Sequence, residues 1–153
     1  MIVADTKRRQ AVSTISRAAH ASEEIRKPMG GWIALFQSAL GISSTQLAKN
    51  VNVSRNSLYK SVENEKAGTI SLNQLSKIAD AMDGRLIYAI VPKQGDVKDI
   101  IMQQARKKAK RTIMRARAHM ALEEQSEGLR TQDEMIEELA IQMARELRRD
   151  FWS

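Results

Sequence analysis

Apolar residues along this chain recur mostly at intervals of three and four, the period of a helix with one buried face, and short clusters of Gly, Ser, Asn and Pro separate the stretches. From Asp5 to about Lys27, the positions Val12, Ile15, Ala19 and Ile25 predict an amphipathic helix with Lys7, Arg8, Arg9 and Arg17 interspersed. Pro28 followed by Gly30 and Gly31 interrupts it, and the paired glycines form a candidate hinge. Four short helices are predicted next, at about 31 to 40, 44 to 51, 54 to 63 and 71 to 82. Gly41 can close the first in a left-handed conformation, Ser44 can cap the second and Ser54 the third. Ser71, with Gln74 three residues on, resembles a capping box for the fourth.

From Arg85 to Pro92 the helical period is lost. Leu86, Ile87, Tyr88, Ile90 and Val91 are mostly β-formers and Pro92 stops the run, which predicts one short strand. A lone strand leaves its backbone donors and acceptors unpaired, so it needs a partner elsewhere in the chain or the same strand of a second subunit. No second strand is evident, and pairing across a two-fold axis, giving a homodimer, is the expectation. Asp96 can then cap a long helix running to about Gln125, with Val97, Ile101, Ala105, Ala109, Ile113, Ala116 and Met120 along one side and Gly128 at its end. Thr131 and Glu134 form a second capping-box signature, opening a helix marked by Ile136, Leu139, Ala140, Met143 and Leu147 and expected to end near Phe151 and Trp152. The two can form an antiparallel hairpin.

Between Leu40 and Met82 the order of features is more specific than a generic helical domain requires. A helix-turn-helix needs a positioning helix, a tight turn and a second helix whose N-terminal side chains reach base edges in the major groove. Leu47 and Ala48 supply the buried residues of the first helix, Ala48 being small enough for close approach; Asn50 to Val53 supply the turn, with Val51 and Val53 as inward anchors. Leu58 marks the apolar face of the second helix, which leaves Arg55, Asn56, Tyr59 and Lys60 facing outward. Arg can bond a guanine edge and Asn an adenine edge in bidentate fashion, so these four residues are the candidate base contacts, Arg55 and Asn56 foremost. Ser44, Thr45, Gln46, Lys49, Ser54 and Ser57 are candidate phosphate contacts, from hydroxyls, amides, helix-start N–H groups and an ammonium.

The chain therefore divides into an N-terminal amphipathic helix (1–29), a helix-turn-helix DNA-binding domain (30–84), a dimerising strand (85–92) and a C-terminal helical extension (93–153). The fold class is mainly α. Charge agrees with a nucleic-acid partner: 25 Lys and Arg against 18 Asp and Glu give a formal charge of +7. The absence of cysteine excludes disulfides and thiolate zinc sites. His20 and His119 lie far apart in sequence, so no metal site and no cofactor is expected. No phosphate-cradling glycine loop, nucleophile elbow or paired catalytic carboxylates can be assembled, so no enzyme activity is expected. The start MIVADTKRRQ lacks the apolar core of a signal peptide and the longest apolar run is too short for a bilayer, so the expectation is a cytoplasmic protein without membrane association.

The helix-turn-helix resembles that of the lambda-repressor-like family of phage repressors and antitoxins, in which five helices surround the motif. Beyond it, the succession GGW, LG, QLA, VS, GTIS, LIYAIVP, a basic helix and HMALEEQ resembles the bacterial mobile mystery protein A family, from about Gly30 to Met143. That resemblance implies an antitoxin that represses its own operon through a palindromic operator and pairs with a Fic-domain toxin. The chain departs from related patterns twice. Ser61 and Val62 stand where an apolar residue and Glu are usual, and the inhibitory motif of many Fic antitoxins (Ser or Thr, three residues, Glu, then Gly or Asn) is absent. Ser61 and Glu65 are followed by Lys66, and Glu127 with Gly128 is preceded at the required distance by Glu123. Two further readings stay open: a phage- or mobile-element-type regulator without a toxin, and a nucleoid-like protein without sequence preference.

Three features remain ambiguous on sequence alone. Between Met102 and Met120 stand Arg106, Lys107, Lys108, Lys110, Arg111, Arg115 and Arg117 with no acidic residue. Their counter-charge can be Asp133, Glu134, Glu137 and Glu138, a DNA backbone, or an acidic protein. The N-terminal helix can pack on its own domain or dock on a partner. Trp32 is expected in the core, and Phe151 with Trp152 as a packed end or a binding anchor.

Overall fold

A computed structural model describes residues 2–122 and 131–153. It contains seven helices among the described residues: α1 (Ile2–Ser22), α2 (Trp32–Leu40), α3 (Ser44–Val51), α4 (Arg55–Ala67), α5 (Leu72–Asp80), α6 (Val97–Leu122) and α7 (Gln132–Glu146). The chain forms two compact units, one of Ala21–Ala89 and one that joins the residues up to His20 with Ile90–Ser153. The expected end of α6 at Gln125 and Gly128 lies outside the described residues.

The Ala21–Ala89 unit is built on short helices that stop where the sequence supplies a left-handed residue, Gly41 after α2, Asn52 after α3 and Gly68 after α4. The Oγ of Ser54 accepts from the Ser57 N–H and that of Ser71 from the Gln74 N–H, each at an N-cap. The cap of α3 is Ser43, whose Oγ accepts from the Gln46 N–H at 3.1 Å; Ser44, expected in that role, is the first helical residue instead. Ile33, Leu47, Ala48, Leu58, Ile78 and Met82 form the core, with Val51, Val53, Val62 and Leu75 packed against it. Trp32 is 45% exposed and is not a core residue: α2 turns Ile33 inward, and the adjacent position falls away from that face.

The first turn of α2 has no side-chain cap of its own. Its donors are satisfied from α4: the N–H groups of Trp32 and Ile33 donate to Glu65 Oε1 at 2.5 Å and Oε2 at 3.0 Å. Glu65 is 4% exposed, a buried carboxylate at the positive end of a helix dipole. Gly31, with φ 86° and ψ 165°, occupies a region essentially restricted to glycine, and a Cβ there would meet Glu65 Oε2 at 2.7 Å. Gly31 is buried as well, so the glycine pair expected as a hinge is pinned at its second member. Lys27 Nζ adds a bond to the Glu65 carbonyl oxygen at 3.1 Å.

In the other unit α6 and α7 form the expected antiparallel hairpin. Ala105, Ala109 and Ala140 are fully buried where the helices meet, because methyl side chains let two backbones approach closely. Phe151 closes the end of this core, its carbonyl accepting from Gln104 Nε2 at 2.8 Å, and stands edge-on to the exposed Trp152. The Thr131–Glu134 capping box is complete: the Glu134 N–H donates to Thr131 Oγ1 at 3.3 Å and the Thr131 N–H to Glu134 Oε2 at 3.0 Å. Arg106 grips Glu137 with two bonds of 2.8 and 2.9 Å, and Lys108 Nζ pairs with the Asp150 carboxylate at 2.8 Å. The Arg106 bond holds the Glu137 carboxyl below the ordinary carboxylate range, and the Lys108 bond does the same to Asp150. Exposed pairs of this kind fix register more than they stabilise. α1 reaches this unit through Ser16, whose Oγ donates to Asp96 Oδ1 at 2.9 Å beside the start of α6.

The strand expected at Leu86–Val91 does not form. No strand occurs among the described residues, and the segment has no regular secondary structure, with Ile87, Tyr88 and Ile90 exposed. The physical reason is the absence of a ladder partner among the described residues.

Glu65→Ala removes the acceptor of two donors at once and is expected to lower the unfolding free energy of the Ala21–Ala89 unit by roughly 1–3 kcal/mol. Gly31→Ala acts in the same direction through strain. Urea midpoints at unchanged slope measure both, and parental midpoints for the two variants would contradict the clamp.

Candidate nucleic-acid interface

α3, the turn at Asn52 to Ser54, and α4 make a helix-turn-helix whose tightness has two sources. Ala48 is buried with its carbonyl accepting from the Val53 N–H at 2.9 Å, which draws the turn back onto α3. Leu47 and Leu58 then fill the space behind the motif. Asn52, left-handed at φ 62°, ends α3 and turns the chain towards Val53 and the Ser54 cap of α4.

α4 buries a stripe of Leu58, Ser61 and Glu65, with Val62 half-buried beside it. Ser61 takes an inward position where an apolar residue was the expected type. Its hydroxyl is satisfied by donating to the Ser57 carbonyl at 3.1 Å, so the helix continues without a break to Ala67, beyond the expected end near Glu63. The opposite side carries Arg55, Asn56, Tyr59 and Lys60, all exposed, Tyr59 to 64%. Glu63 lies on the same side one turn later, and its carboxylate is engaged by Lys66 Nζ at 2.9 Å. That bond raises the Lys66 pKa and keeps the acidic charge from standing alone on the basic face.

The residues expected at phosphates fall into two groups. Ser44, Thr45 and Gln46 form the exposed first turn of α3, with Lys49 one turn later on the same helix. Ser44 Oγ accepts from Gln37 Nε2 at 3.0 Å, and Gln46 Nε2 donates to Asn50 Oδ1 at 2.9 Å, so these side chains are held rather than loose. Ser54 and Ser57 sit at the start of α4, where the Ser54 oxygen is already engaged as a cap while the Ser57 side chain is exposed.

Two residues on which this arrangement depends were not among the candidates. Glu65 lies seven residues after Leu58, on the same inward stripe, and that spacing was the available signal. Ser43 stands three residues before Gln46, the spacing of a capping box, one position ahead of the serine expected to cap.

This geometry has a counterpart among known domains. Residues 38–86 match the family model described as a Cro/C1-type HTH DNA-binding domain. The match spans the end of α2, all of α3, α4 and α5, and the first residues beyond; α1, α6 and α7 lie outside it. No curated protein and no solved structure matches the chain. A Cro/C1-type segment suggests a DNA-binding transcription regulator, and in the helix-turn-helix motif in general the second helix is the one that enters the major groove. No helix among the described residues is long and apolar enough to cross a membrane. Nor do the described residues hold a group of three or more His, Cys, Asp or Glu side chains that could bind a metal ion.

Proposed function

We propose that this protein is a sequence-specific repressor that reads a palindromic operator with α4. The observation that carries the reading is the row of Arg55, Asn56, Tyr59 and Lys60 on the exposed side of the second helix of the Cro/C1-type segment. Arg55 reads a guanine through its O6 and N7 and Asn56 an adenine through its N6 and N7, while Tyr59 and Lys60 contact the neighbouring bases. The first turn of α3 offers the Ser44, Thr45 and Gln46 side chains and its N-terminal backbone to one phosphate, and Lys49, Ser54 and Ser57 flank it. Repression follows from occupancy, because a duplex covered by the protein is closed to transcription initiation.

A palindromic site calls for a two-fold dimer, and the segment Leu86–Val91 supports one. Its backbone is without a ladder, and Tyr88 is 74% exposed. An antiparallel pair with a second copy satisfies the backbone and covers the apolar side chains together. The antitoxin role, with a Fic-domain partner, rests on the resemblance of sequence motifs alone. A stand-alone regulator accounts equally for the Cro/C1-type segment, and co-expression with the adjoining reading frame separates the two. Co-purification of a Fic-domain protein favours the antitoxin; a frame encoding no such domain removes it.

Arg55→Ala is expected to cost about 1–3 kcal/mol on the operator and to relax preference at one base pair. Unchanged operator discrimination would remove Arg55 from the reading set. Deleting Leu86–Val91 is expected to convert a sedimenting dimer into a monomer, and a deletion variant that stays dimeric refutes the strand pairing.

A further inference from the structure

The basic helix α6 carries more charge than the described residues of its own unit neutralise, and the excess lies on one side. Arg106 is satisfied by Glu137 and Lys108 by Asp150. Arg117 donates to Gln132 Oε1 at 2.9 Å, and Arg111 makes a single 3.4 Å contact with the Ser153 carbonyl oxygen. Lys107, Lys110 and Arg115 make no hydrogen bond or ion pair with the described residues, and all three are exposed. With Arg111 they recur at intervals of three, four and eight from Lys107, the positions of one helix face, turned away from the buried Ala105 and Ala109 that meet α7.

We infer that this face of α6 is a second duplex-binding surface, which contacts the phosphate backbone without reading bases. Four like charges on little more than two turns repel one another and are stabilised by an external polyanion. From Lys107 to Arg115 the helix rises about 12 Å, the axial reach of three to four nucleotides of one strand. The face lacks the bulky aromatic side chains by which interfacial helices enter a membrane. Between Lys107 and Arg115 its one exposed large apolar residue is Met114, too little to anchor an acidic protein specifically. A duplex, by contrast, is the ligand of the Cro/C1-type segment of the same chain, so it is present at high effective concentration once that segment has bound. The inference rests on that reading of the segment and adds a non-specific contribution from a different unit.

The test uses the full chain and a mixed-sequence duplex of about 30 base pairs, with the association constant measured against KCl concentration. Replacing three cations, Lys107→Gln, Lys110→Gln and Arg115→Gln, is expected to flatten the log–log salt slope by about 2.7, at about 0.9 per phosphate contact. The conservative set Lys107→Arg, Lys110→Arg and Arg115→Lys is expected to keep the parental slope. Sequence discrimination, read separately as the ratio of preferred to mixed duplex, is expected to be unchanged by the glutamine variant and reduced by Arg55→Ala. A glutamine variant with the parental slope overturns the inference, even where Arg55→Ala abolishes discrimination. A flattened slope supports it, including where Arg55→Ala leaves discrimination intact and the base-reading assignment fails instead.

Discussion

The buried carboxylate of Glu65 sets where α4 lies within its unit. A carboxylate that is 4% exposed is costly unless fully bonded, and the two N–H groups at the start of α2 supply the bonds. The relation is reciprocal: α2 lacks a cap, and α4 provides it from three turns along its own length. A glycine at position 31 is the condition for both, because any Cβ would occupy the space of the carboxylate. Since the clamp acts near the C-terminal end of α4 and Leu58 anchors its beginning, the exposed side of the helix is held without using any outward residue. Arg55, Asn56, Tyr59 and Lys60 are exposed and take no part in that clamp.

The hairpin unit solves a different problem. α6 and α7 approach through alanines, with Ile101, Met102, Ile136, Leu139 and Met143 packed around them and Phe151 buried at one end. Its cations are divided between two uses. Arg106 and Lys108 fix the register of the hairpin against Glu137 and Asp150, whereas Lys107, Lys110 and Arg115 face outward without counter-charge among the described residues. Net charge alone gives no hint of this division, which depends on which side of a helix each cation occupies.

Features set by local spacing were legible from the amino-acid order. Ser54 and Ser71 cap as expected, the Thr131–Glu134 box forms, and Leu47, Ala48 and Leu58 are buried where the helix-turn-helix pattern puts them. Features set by contacts between distant residues were not. Glu65 meets α2 across more than thirty positions, and a charged side chain is ordinarily assigned to the surface. Gly31 reads as flexible until the carboxylate that confines it is known. Trp32 reads as core by its size, yet the inward position of that turn belongs to Ile33. The segment Leu86–Val91 has the composition of a strand, but a strand is a property of a pair, and the described residues do not supply the second member. Which of the outward residues touch bases is likewise a property of a complex.

The central claim is that α4 reads base sequence as part of a two-fold dimer. Repeated selection of duplexes from a randomised library by the full-length protein tests it most directly. The account predicts enrichment of an inverted repeat whose half-sites lie about one helical turn, roughly 10 base pairs, apart or a multiple of that. A library that emerges with its starting composition, at a salt concentration where the protein binds DNA, would contradict it.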